Sequence, residues 1–119
     1  MKYVFHPKAL TEYSQAVQYY AESRVELAQG FIDAVEDTVY QIRESPTRCP
    51  LIDEDARRCL TRKFPYGIIY TIEQDYILIL AVMHCSRESG YWKSRRSPMP
   101  FQFVEKLGLQ SRVWILEKS

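Results

Sequence analysis

From Tyr76 to Met83 the sequence runs YILILAVM, eight residues with no charge and no break in hydrophobicity. A strand with one wet face alternates apolar and polar side chains, whereas an unbroken apolar run belongs to a strand covered on both faces. This segment therefore predicts the central strand of a sheet, with helices packed against it. The run is far too short for a membrane span, which needs roughly 20 apolar residues. A chain of 119 residues fits one domain with a core of its own.

The elements around that strand follow from period and punctuation. KYVFH is a short β-branched and aromatic run, and Pro7 directly after it suits the first turn of a helix. Ala9, Leu10, Tyr13, Ala16, Val17 and Tyr20 then recur at three- and four-residue steps, which predicts a helix with Lys8, Glu12, Gln15, Gln18 and Glu22 facing away from the core. After ESR the pattern restarts with Leu27, Phe31, Ala34, Val35, Thr38, Val39 and Ile42, and Pro46 ends it. TRCPLIDEDA reads as a loop, RRCLTRKF as a short strand and YGIIYTIE as a better one, with EQD as the hairpin turn into YILILAVMHC.

The expected fold class is α+β: a small two-layer domain of order β-α-α-β-β-β, its N-terminal helical hairpin packed on a mainly antiparallel sheet. That domain is expected over residues 1–96. Pro98 and Pro100 then open a C-terminal extension, 97–119, of unknown role. Phe101, Phe103, Val104, Leu107 and Leu109 suggest a helix around 101–107, and VWIL at 113–116 a strand after it. So much apolar surface is expected to pack back on the domain or on another chain.

Charge is divided along the chain. Residues 1–44 hold four Lys/Arg against seven Asp/Glu, while residues 57–96 hold eight Lys/Arg against three acids. The basic second half favours an anionic partner, either nucleic acid or an acidic protein segment. Three cysteines, Cys49, Cys59 and Cys85, in no C-x-x-C arrangement argue against a zinc site and a disulfide framework, so reduced thiols are expected. The N-terminus lacks an apolar signal region, and the expected location is the cytoplasm, without membrane contact.

The chemistry collects where the apolar strand ends. His84 sits at a strand-to-loop boundary, where a histidine is useful as a general acid or base, or where a structural histidine closes a core. Arg87, with Arg62 and Lys63 on a neighbouring strand, has the charge to clamp a phosphate, or equally to solvate a strand edge. Tyr91 and Trp92 are suited to stacking on exposed bases or to closing a core. Cys85 is adjacent to His84 on a strand, so the two side chains point to opposite faces and do not make a catalytic pair.

FHPKALTEYSQAVQYY, FIDAVEDTVYQIRESP and RRCLTRKFPYGIIYTIEQDYILILAVMHCSRESGYWKSR together resemble the RelE/ParE superfamily of type II toxin-antitoxin toxins over about residues 3–96. The most specific pieces are RKFPYGIIYTI and AVMHCSRESGYWKSR, an H-x-x-R followed by an aromatic pair and an arginine. The resemblance implies two helices on an antiparallel sheet, a cognate antitoxin partner, and no cofactor or metal. It favours the ParE-like branch, whose members poison DNA gyrase by binding. The target-binding residues are then Arg57, Arg58, Arg62, Lys63, Arg87, Trp92, Lys93 and Arg95.

A RelE-like member would instead be a ribosome-dependent mRNA endoribonuclease. Arg62 and Lys63 would clamp phosphate, Arg87 would stabilise the transition state, and His84 or Tyr91 would act as general acid or base. The lysine-dense strand of the strongest RelE-type nucleases is missing here. A third reading is an inactive member that serves only protein association, including homo-oligomerisation through the extension.

Overall fold

The computed structural model describes residues 1–88, 90–96 and the backbone of 115–116. Lys2–Phe5 form β1, and the chain turns at once into α1, Pro7–Ser23. Proline occupies the first helical turn, where its missing N–H has no partner to lose. His6 caps the helix, its Nδ1 accepting the Lys8 backbone N–H at 3.1 Å. One extended residue, Arg24, separates α1 from α2, Val25–Glu44, so the two helices form the tight hairpin that the restarting period predicts.

The strands that follow are β2 (Leu51–Asp53), β3 (Ala56–Leu60), β4 (Tyr66–Ile72) and β5 (Tyr76–His84). Their order in the sheet is β2-β3-β4-β5-β1, with a two-residue strand β6, Ile115–Leu116, beyond β1. The β1–β5 pair is parallel and the others are antiparallel. The eight-residue apolar run thus lies between β4 and β1, and every residue from Tyr76 to Met83 is buried. Among the described residues no helix is long and apolar enough to cross a membrane.

The two sheet faces carry separate cores. On the helical face, Phe5, Ile68, Tyr70, Ile77, Ile79 and Val82 meet Ala9, Ala16, Phe31, Val35, Val39 and Ile42. On the other face, Val4, Ile69, Leu78, Leu80, Ala81 and Met83 gather around Trp92. Gly90, at φ +94°, supplies the left-handed turn that starts the return of the chain through Tyr91 and Trp92 into a short 3-10 turn, Lys93–Arg96.

Two sequence expectations need correction. Part of TRCPLIDEDA is a strand: β2 pairs with β3 at Leu51↔Arg57 and Asp53↔Ala56. Three residues on a sheet edge, with Leu51 and Ile52 exposed, leave no periodic trace in the sequence. Cys49 and Cys59, expected as reduced thiols, are joined as a disulfide, with their Cα atoms 5.5 Å apart. Loop folding brings them together: Arg57 donates to the carbonyls of Thr47 and Cys49, and the Tyr70 hydroxyl donates to that of Pro46, laying the loop along β3. Cys85 is free and exposed, and the helix expected at 101–107 lies outside the described residues.

Candidate functional site

The site begins with a fault in the central strand. Ile69 pairs with Ala81 but Tyr70 pairs with Ile79, so Leu80 is an extra residue, a β-bulge. Side chains alternate along a strand, and one inserted residue reverses the alternation beyond it. Ile77 and Ile79 face the helices, Leu80 and Ala81 both face away, and Val82 faces the helices again. His84 therefore lands on the helical side, opposite Tyr66, with the two rings edge to face at 5.1 Å.

The bulge also lies where β5 loses its neighbour. β1 pairs with β5 only as far as Phe5↔Ile79, leaving the Leu80 carbonyl and the Val82 N–H without a strand beside them. Buried backbone groups demand partners. Two side chains supply them: Arg95 Nη1 donates to the Leu80 carbonyl at 2.9 Å, and Glu12 Oε1 accepts the Val82 N–H at 3.0 Å. Glu12 Oε2 and Arg95 Nη2 then meet at 3.0 Å, with the side chains only 11% and 9% exposed. Lys8, Gln15, Gln18 and Glu22 are exposed as their period predicts, but Glu12 is not: it faces the open edge of β5.

Arg87 and Tyr91 build on this pair. The Arg87 guanidinium lies over the Tyr91 ring at 3.7 Å from its centroid and reaches Glu12 Oε2 at 3.5 Å, while Arg95 approaches the same ring at 5.1 Å. The Tyr91 hydroxyl is shielded from solvent without an acceptor at full hydrogen-bond geometry among the described residues, yet it is near enough to Glu12 to feel its charge. Burial first, and the Glu12 carboxylate second, push its pKa up to about 12. Such a phenol keeps its proton at neutral pH.

His84 Nδ1 accepts the Ser86 backbone N–H at 3.0 Å, so a neutral ring carries its proton on Nε2. Its outer wall is a groove of about 250 Å³ between α1 and the end of the β4–β5 pair, where Gln15, Tyr19, Tyr66, His84 and Arg87 converge.

The other cations fall elsewhere. Arg62 and Lys63, at the β3–β4 turn, line a second cleft of about 260 Å³ against α2, where Arg62 lies 3.5 Å from Asp37. Arg57 is engaged by the disulfide loop. The stem of Arg58 lies across Gly67, where an added Cβ would stand 3.0 Å from its Cδ. Lys93 pairs with Asp53 at 3.7 Å. Trp92, expected to touch a target, is 2% exposed in the second core, and Arg95 is buried against Glu12, so neither offers its side chain to a partner. The reason is the return turn after Gly90, which lays 91–95 under the sheet. Glu12, absent from the sequence-derived candidates, is the residue around which the site is organised.

His6 links this cluster to pH. Its pKa is lowered, by burial first and then by the charges of Arg95 and Lys8, with Glu12 opposing. A depressed histidine pKa means that the unfolded chain binds more protons between the folded value and about 6.5, so stability falls as pH drops below about 6.5. His6→Asn caps a helix without titrating. The urea midpoint of this variant is expected to change less between pH 7.5 and 5 than that of the wild type.

Residues 3–89 match the family described as the ParE toxin of the type II toxin-antitoxin system, parDE. Among solved structures, the chain is similar to one described as "Chromosomal ParDE TA system from P. aeruginosa", with a TM-score of 0.54 and 17% identity, over 71% of this chain and 95% of that one. At that identity the likeness concerns the fold. No curated protein matches the sequence. With most of the chain, from β1 to the H-x-x-R ending, inside the family match, this protein belongs to the ParE toxin family of type II toxin-antitoxin systems.

Proposed function

We propose that this chain arrests growth by binding DNA gyrase, and that a cognate antitoxin encoded beside it holds it inactive in the cytoplasm. Family membership supports the toxin class. Binding rather than cutting is favoured by one observation: the residues that RNA cleavage would need together lie in two clefts. Arg62 and Lys63 stand against α2, whereas His84 and Arg87 stand against α1. A phosphoryl-transfer site needs its clamp and its acid-base group on one reacting phosphate. Tyr91, stacked under Arg87 with its pKa pushed up to about 12, is poorly suited to proton transfer near neutrality.

In this reading the exposed contacts are Arg62, Lys63, Arg87 and Lys93, and no cofactor takes part. Residues 1–96 act as the toxin domain in this reading. The toxin and antitoxin pair serves to maintain the element that encodes it, as in plasmid stabilization. Induced expression without the antitoxin is expected to filament cells and trap gyrase on cleaved DNA while mRNA stays intact. Early translation arrest with codon-positioned mRNA cuts, and gyrase cycling normally, would overturn the proposal.

A further inference from the structure

We infer that Glu12 is a positioning residue: its carboxylate holds the Arg87 guanidinium flat on Tyr91 at the mouth of the α1–β5 groove, fixing where that cation meets gyrase. The inference rests on the reading above, in which Arg87 contacts the target.

Two guanidinium groups share one tyrosine ring, Arg87 at 3.7 Å and Arg95 at 5.1 Å from its centroid. Like charges so placed repel each other unless an anion stands between them. Glu12 Oε2 is that anion, 3.5 Å from Arg87 and 3.0 Å from Arg95. The two arginines differ in what else retains them. Arg95 is buried and also bonded to the Leu80 carbonyl, whereas the Arg87 side chain is 53% exposed and rests on the ring and on Glu12. If the carboxylate charge is removed, Arg87 is the one that leaves.

Glu12→Gln takes the anion from both arginines, but among the described residues only Arg87 is left without another polar anchor. The amide oxygen still accepts the Val82 N–H and Arg95 keeps its bond to the Leu80 carbonyl, so the domain is expected to lose stability yet stay folded, which thermal melting of each variant checks before the assay. A double-mutant cycle on affinity for purified DNA gyrase reads the coupling. The expected result is a loss of about tenfold for Glu12→Gln in the wild-type background and less than about twofold beside Arg87→Ala, because the tether then has nothing to hold. Equal losses in both backgrounds would mean a purely structural Glu12 and overturn the inference.

A second readout needs no partner. In the free protein the Arg87 side-chain signals carry the ring-current shift of Tyr91. Glu12→Gln is expected to move them to free-arginine positions while the Arg95 signals stay, and unchanged Arg87 signals would overturn the inference. If the wild-type chain fails to bind gyrase, the functional reading falls, and this spectrum still decides whether Glu12 positions Arg87.

Discussion

Glu12→Ala is expected to lower the stability of the domain by about 3–5 kcal/mol, the cost of leaving one member of a buried ion pair without its partner. Alanine removes three interactions at once: the acceptor for the Val82 N–H, the counter-charge of Arg95, and the anion near Arg87. Arg95 stays enclosed, its side chain 9% exposed, with a full charge and, among the described residues, the Leu80 carbonyl and the Tyr91 ring to meet it. Replacing both Glu12 and Arg95 by apolar residues removes the stranded charge but still leaves two backbone groups of β5 unpaired, at about 1–3 kcal/mol each. Urea unfolding measures both variants. A Glu12→Ala cost below about 1 kcal/mol would mean that water reaches Arg95 easily and that the pair does not hold α1 to the strand.

Phe31→Ala is expected to cost a similar amount, about 3–5 kcal/mol, for a different reason. Phe31 has no exposed surface and is the hub of the aromatic layer between the helical hairpin and the sheet. The rings of Tyr66, Tyr20, Phe64 and Tyr13 surround it at centroid distances of 4.9, 5.3, 5.3 and 6.0 Å. Truncation leaves a cavity walled by stiff rings from α1, β4 and the β3–β4 turn, which cannot all collapse into it. Domains of this size are stable by about 5–15 kcal/mol, so the variant is expected to unfold at much lower denaturant. Phe31→Leu keeps most of the volume and should cost less than half as much. Equal costs for the two variants would show that the layer depends on ring geometry rather than on filled space.

The parts of this fold that a sequence reader can see are those governed by local period. Both helices repeat every three to four residues, and the apolar run of β5 announces a strand covered on both sides. The misread parts depend on neighbours far along the chain. Glu12 falls on the polar side of the α1 pattern, and nothing near it signals that β1 stops at Phe5 and exposes the β5 edge 70 residues away. The bulge at Leu80 is silent because a uniformly apolar strand has no alternation to interrupt. Its consequence, the turning of His84 toward α1, is equally hidden.

The ending GYWKSR reads as polar and cationic, and the eye assigns it to a partner. The structure instead buries Trp92 in the second core and commits Arg95 to Glu12, leaving Lys93 as the exposed cation of this stretch and Arg87 exposed just before it. Cys49 and Cys59 are paired by a loop whose path is set by Arg57 and Tyr70, not by any spacing between the cysteines. The family resemblance was legible in the sequence through the order of the elements and the H-x-x-R that starts at the end of β5.

The most direct measurement is a supercoiling assay with purified DNA gyrase and this chain. Inhibition, with gyrase accumulating on cleaved DNA and Arg87→Ala weakening the effect, is the predicted result. Undisturbed supercoiling, together with cutting of ribosome-bound mRNA by the same preparation, would contradict a toxin that acts by binding.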